Sequence, residues 1–163
     1  MRRCWGVEAI ESLNEAAAAD PAMEGERYLM WMVRRLVFCA GEPNLVERSL
    51  CRRLGAEEGR EACLALRLTL YSICMFGRRR LRLGPPGAGE TTRDEALILQ
   101  LVSAAQHEVD DLLQSSLLWI LEAGSPLDPE RPIRHLARLL LRAGVVLPAP
   151  GSGHVPAAGL PHQ

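Results

Sequence analysis

The chain has 163 residues, a mass of 17.9 kDa and a formal net charge of −1, with 48% hydrophobic and 24% charged residues. That is one domain's worth of sequence, long enough to bury a real core, with the composition of an ordinary soluble globular protein. Its near-neutral charge excludes a global field that would draw the chain to nucleic acid or to an anionic membrane.

All 19 basic residues are arginine. With the abundance of Ala, Leu, Gly and Pro, this reads as codon bias in a GC-rich genome. It also excludes lysine Schiff-base and general-base chemistry. Cys4, Cys39, Cys51, Cys63 and Cys74 are odd in number and contain no C-x-x-C, which argues against a zinc site. Cys39, Cys63 and Cys74 lie in apolar runs and are expected as small buried hydrophobes, which suits a reducing compartment. Met1-Arg2-Arg3 resembles a signal-peptide start, but Glu8, Glu11 and Glu15 interrupt any apolar segment after it. No apolar run approaches the roughly 18 residues of a membrane span. A cytoplasmic protein with no membrane association is the expectation.

In chain order, Val7, Ile10, Leu13 and Ala17 recur at helical spacing, and Asp20-Pro21 ends that first helix. A second helix is predicted over 24–40, striped by Leu29, Met32, Val33, Leu36 and Val37 and stopped by Gly41. A short third helix follows Glu42-Pro43, carries Leu45, Val46, Ser49 and Leu50, and closes at Gly55. Ala56 to Phe76 is a fourth helix with a narrow polar face, the pattern of a helix central in its bundle. Arg80, Leu81, Arg82 and Leu83 alternate, making 78–83 the only strand candidate.

After a Gly/Pro loop, Thr92-Arg93-Asp94-Glu95 forms a capping box. No breaker follows before Gly124, so 92–122 reads as one very apolar helix, about 45 Å long at 1.5 Å per residue. A break near His107 is the alternative. Gln100, Ser103, His107, Asp110 and Gln114 make a polar stripe on it. The surrounding leucines exceed what one packed face needs, so a protein partner or self-association is expected to cover part of the helix. A last helix runs over 133–143, with Arg131, Arg134, Arg138 and Arg142 along its outer face. Arg138 and Arg142 are expected to pair with Glu108, Asp110 and Asp111. The Pro/Gly-rich remainder, 144–163, reads as a disordered tail behind a helical domain of residues 1–143.

Few residues carry chemistry. Gly84, Gly89 and Thr91 match the phosphate-binding pattern G-x-x-x-x-G-K-[ST], but Glu90 stands where lysine belongs. The stretch resembles the loops of ATPases of that superfamily. A carboxylate in the lysine's place repels phosphate, and the alternating strands of that fold are missing. Arg78, Arg79, Arg80 and Arg82 are the densest charge and a candidate contact for nucleic acid or an acidic partner. No aromatic residue is interleaved for base stacking. His107-Glu108 with Asp110-Asp111 has metal-ligand residue types but no Glu-x-x-His. Ser115-Ser116 has no nucleophile-elbow context. No catalytic, cofactor or metal residue is assigned.

Arg79 to Gln106 has a basic extended piece, a Gly/Pro loop, Thr-x-x-Glu-Ala, and a leucine-rich helix ending Ala104-Ala105-Gln106. It resembles a small family of helical bacterial proteins with no assigned activity. The resemblance implies an all-helical fold and nothing about chemistry. The expectation is therefore a single all-α bundle of five or six helices acting as a non-catalytic interaction or adaptor protein. The alternatives are a small regulator touching nucleic acid through the Arg78–Arg82 cluster and a degenerate phosphate-binding-loop protein.

Overall fold

The computed structural model describes residues 24–39 and 44–151. The helix expected over the first twenty residues lies outside them. Among the described residues the fold is all-helical, with six helices: α1 (Gly25–Phe38), α2 (Asn44–Leu54), α3 (Ala56–Phe76), α4 (Arg93–Gln106), α5 (Asp110–Ile120) and α6 (Glu130–Arg142). None of them is long and apolar enough to cross a membrane.

The central packing is α2 on α3, with α6 on both α3 and α4. Gly55, at φ 89°, serves both as the stop of α2 and as the residue before α3, so the two helices form a tight hairpin. Small residues on α3 bring α2 close. Gly59, Ala62 and Cys63 are buried, and a Cβ built on Gly59 would lie 2.5 Å from the Cys51 backbone. α1 packs on α2 through Tyr28, whose hydroxyl lies 2.8 Å from Ser49 Oγ and whose ring carries the Arg53 guanidinium 4.3 Å above it. Leu29, Met32 and Val33 complete the buried face of α1.

The single long helix does not form. It breaks at His107, Glu108 and Val109, where Glu108 sits in the left-handed region at φ 55°. No glycine or proline marks the place. The cause is burial: an unbroken rod would carry Leu113, Leu117 and Ile120 away from the bundle, whereas folding α5 back on α4 buries all three. The left-handed residue costs about 1 kcal/mol, less than one buried leucine is worth. Within the hairpin only the start of the polar stripe turns inward, Ser103 being buried and Gln100 reaching Ser116 Oγ at 3.4 Å, while His107, Asp110 and Gln114 stay exposed.

The strand candidate at 78–83 is irregular chain. Just before it, an isolated bridge between Gly77 and Leu121 ties the end of α3 to the end of α5. The expected tail also begins as ordered chain. Gly144 (φ 74°) and Val145 close α6, their N–H groups bonding the carbonyls of Leu141 and Leu140, the paired bonds of a Schellman stop. Val145 and Leu147 are then buried in the core, and both ends of the Gln106 amide bond this segment, to Val145 O and Leu147 N at 2.9 Å each. The short apolar run Val145-Val146-Leu147 made this burial possible despite the surrounding Gly/Pro composition, with Val146 left exposed. The rest of the expected tail, from residue 152, lies outside the described residues.

Of the three cysteines expected in the core, only Cys63 is buried; Cys39 is half-buried and Cys74 exposed. The α2–α3 contact gives a direct test. Alanine at residue 59 improves helix propensity by about 1 kcal/mol, but its methyl must displace the Cys51 backbone. Gly59→Ala is expected to destabilise by a net ~1–3 kcal/mol, read from urea unfolding.

Candidate interaction surface and the loop beside it

The capping box at Thr92 forms as its sequence requires. Thr92 Oγ1 accepts from Glu95 N at 3.2 Å, and Glu95 Oε2 accepts from Thr92 N at 2.8 Å. Glu95 does more than cap. It is fully buried and also takes the Arg34 Nε (2.6 Å) and Nη2 (2.9 Å) donors and the Gly84 backbone N–H (2.9 Å). Burial opposes its ionisation, but the Arg34 guanidinium and the Thr92 and Gly84 amides prevail and hold its pKa below the usual carboxylate range.

The remaining donors of Arg34 organise the loop. Nη1 donates to Ala88 O, and Nη2 donates to Glu90 O at 2.8 Å. The stretch that matches a phosphate-binding pattern thus turns two carbonyl oxygens on a cation. A phosphate cradle presents N–H groups inward, so the polarity here is reversed.

Asp94 holds the chain upstream. It receives both terminal nitrogens of Arg79 and the Arg82 N–H at 2.6 Å, and Arg79 above all depresses its pKa. Arg79 also lies 5.3 Å from the centre of the Trp119 ring, and Arg78 Nε donates to Leu121 O at 2.8 Å. All four arginines are exposed, but Arg78 and Arg79 are engaged by the protein itself. Two of the cluster's four charges are thus already committed to bonds within the domain.

The outer arginines of α6 are also divided. Arg134, not Arg138 or Arg142, meets Asp110, at 2.7 Å, and also bonds Glu130 at 2.8 Å. Arg142 bonds Glu58 on α3 at 2.6 Å. Arg131 and Arg138 are exposed. The register of α6 against α3, set by Ile133, Leu136 and Leu140 in the core, carries Arg142 toward α3. His107 is used structurally, its Nε2 lying 2.9 Å from Leu147 O. Among the described residues no group of three His, Cys, Asp or Glu is placed to hold a metal.

The surplus apolar surface expected on 92–122 is mostly internal. Leu118 and Trp119 remain exposed, at 71% and 60%, with Val109 partly so. The longer exposed stripe is on α3: Leu64 (57%), Leu68 (45%), Tyr71 (53%) and Met75 (58%). Their spacing of four, three and four puts them on one face. α3 is therefore two-faced rather than central, with Leu66, Leu70 and Ile73 inward and this row outward. Helical spacing also sets Arg60 and Arg67 along one edge of the row and Glu57 at its N-terminal end.

Sequence reasoning passed over Arg34, Arg35 and the α3 row. The signal for the first two was a charged pair, Arg34-Arg35, interrupting the apolar run that begins at Tyr28. The signal for the row was a helix with more leucine-sized residues than one face holds. Comparison with protein-family models, curated proteins and solved structures gives no match for this chain.

Glu95→Ala leaves the Arg34 cation buried and uncompensated and is expected to cost about 3–5 kcal/mol in chemical unfolding. The pH dependence follows from the same groups. Asp94 and Glu95 have lower pKa values folded than unfolded, so their contribution is full above the unfolded values and is lost as pH falls through the folded ones. Stability should fall steeply below about pH 4.5, and Asp94→Asn should flatten that acid limb.

Proposed function

We propose that the protein is a non-catalytic interaction module of the cytoplasm that docks an amphipathic helix of a partner protein on α3. The observation that carries this is the exposed row Leu64, Leu68, Tyr71 and Met75. Apolar residues at i, i+4, i+7 and i+11 form the straight ridge against which a second helix packs. Arg60 and Arg67 on one edge select a helix with acidic residues along the matching side. Reduced cysteines suit the proposed compartment, and those at 39, 51, 63 and 74 are free thiols.

Covering the exposed parts of four such side chains is worth about 3–6 kcal/mol before the cost of association. The row alone therefore falls short of the ~8 kcal/mol of a micromolar complex, so the partner must add contacts at its rim, and binding should be sensitive to single changes in the row. Contact with nucleic acid is the weaker reading, because Arg78 and Arg79 are held by Leu121 and Asp94.

The test is recovery of partners by the tagged full chain, with and without nuclease, alongside a Leu68→Glu/Tyr71→Glu variant. Both residues are exposed, so the melting temperature should hardly change. A stoichiometric protein partner should survive nuclease and be lost in the variant, and Arg67→Glu should weaken it by roughly tenfold. Recovery unaffected by the double substitution would refute the surface. Association lost on nuclease treatment would favour the arginine cluster, and variant-sensitive self-association alone would replace the partner helix by a second copy.

A further inference from the structure

Arg34 and Arg35 are neighbours on α1, only 6% and 7% exposed. Arg34 turns its Nε/Nη2 edge to both oxygens of the Glu95 carboxylate. Arg35 has the same edge, and among the described residues neither Nε nor Nη2 has a partner. Its Nη1 reaches only Cys39 Sγ, at 3.4 Å, a weak acceptor. One turn earlier, Trp31 Nε1 is likewise buried without a partner. Arg27, Trp31 and Arg35 recur at every fourth position and so share one face of α1.

These three residues line a cleft of 370 Å³, closed on its other side by the 86–91 loop. The loop is held in place by Arg34 through Ala88 O and Glu90 O. The two walls are therefore joined by Arg34 itself, which its buried ion pair with Glu95 holds in place before any ligand arrives. All the orphan groups are donors, and one belongs to a permanent cation. A buried, uncompensated cation is costly, and its natural complement is an anion with two acceptor oxygens. An Nε/Nη2 edge receives a carboxylate or two phosphate oxygens side-on, as Arg34 receives Glu95.

We propose that this cleft binds a small molecule through an oxyanion, a carboxylate or a phosphate, paired with Arg35 Nε and Nη2 and supported by Trp31 Nε1. The cleft is at the small end of ligand-site volumes, which run from about 300 to 1,000 Å³. Glu26 also lines it, which favours a singly charged carboxylate over a phosphate dianion and disfavours a ligand with a second anionic group. Met30, Trp31 and Pro86 offer apolar contact to the rest of such a molecule. This site is separate from the α3 row and does not depend on it.

The Trp31 indole N–H signal of the full-length protein, assigned with Trp31→Phe, reports on the cleft in ¹H–¹⁵N spectra. Sodium phosphate or sodium benzoate should move it saturably when exchanged for sodium chloride at constant ionic strength. A response to benzoate alone points to an organic acid, and a response to phosphate alone to a phosphorylated molecule. Arg35→Lys keeps the charge but loses the fork and should weaken binding by roughly tenfold. Glu26→Gln should tighten it severalfold by removing the repulsion. Arg35→Met should abolish the shift and, without ligand, melt no lower than the parent, because it removes an uncompensated buried charge. A Trp31 signal unmoved by either anion at tens of millimolar overturns the proposal. So does an Arg35→Met protein that binds with the parental midpoint. If Arg35→Met does not fold, the uncompensated-cation argument fails, and unchanged midpoints in Arg35→Lys and Glu26→Gln refute the site.

Discussion

The buried pair of Arg34 and Glu95, residues 61 apart in the chain, joins α1 to α4 and sets the path of the irregular segment between α3 and α4. Removing two charges from water is expensive, and their mutual attraction rarely repays it unless every remaining donor and acceptor is satisfied. Here Glu95 accepts from both edge nitrogens of Arg34 and from two backbone amides, while Arg34 completes its bonding on loop carbonyls. The pair fixes a single arrangement of α1, the loop and the start of α4. An apolar replacement could fill the same volume but would not dictate where the loop carbonyls point.

A chain whose basic residues are all arginine has only planar, permanently charged donors to work with. Several of them are used as forks inside the domain. Arg34 grips Glu95, Arg79 grips Asp94 while lying against Trp119, and Arg78 bonds a carbonyl at the end of α5. The consecutive acids Asp94 and Glu95, at a capped helix start, are the receiving side of this arrangement. The result reverses the impression left by composition. Half of the densest positive stretch braces the domain, and the glycine-rich loop turns two carbonyls on a cation.

Apolar surface is divided by the same logic of satisfaction. The stretch between 92 and 122 resolves its excess internally by folding into the α4–α5 hairpin. α3 cannot, because α2 and α6 already occupy its inner side. Its outer row is left to solvent, together with Leu118 and Trp119 at the end of α5. A straight row on a rigid helix and a cleft prebuilt by a buried ion pair are two kinds of binding feature, and they are carried by different helices.

Local rules in the sequence determined the helical class, the bounds of α3, the Gly55 turn and the capping box. Each depends on residues within a few positions of one another: a glycine at φ 89°, a threonine three residues before a glutamate, an apolar repeat of period 3.6. Tertiary structure alone decided the break at Glu108, the burial of Val145 and Leu147, the use of Arg78 and Arg79, and the exposure of the α3 row. Glu108 has no local reason to leave the helix; it does so because leucines several turns away are better buried in the hairpin. The partners of an arginine, and the side of an apolar helix that stays uncovered, depend on which elements meet in space. Helical periodicity records that a face is apolar, but only packing decides whether another part of the chain covers it.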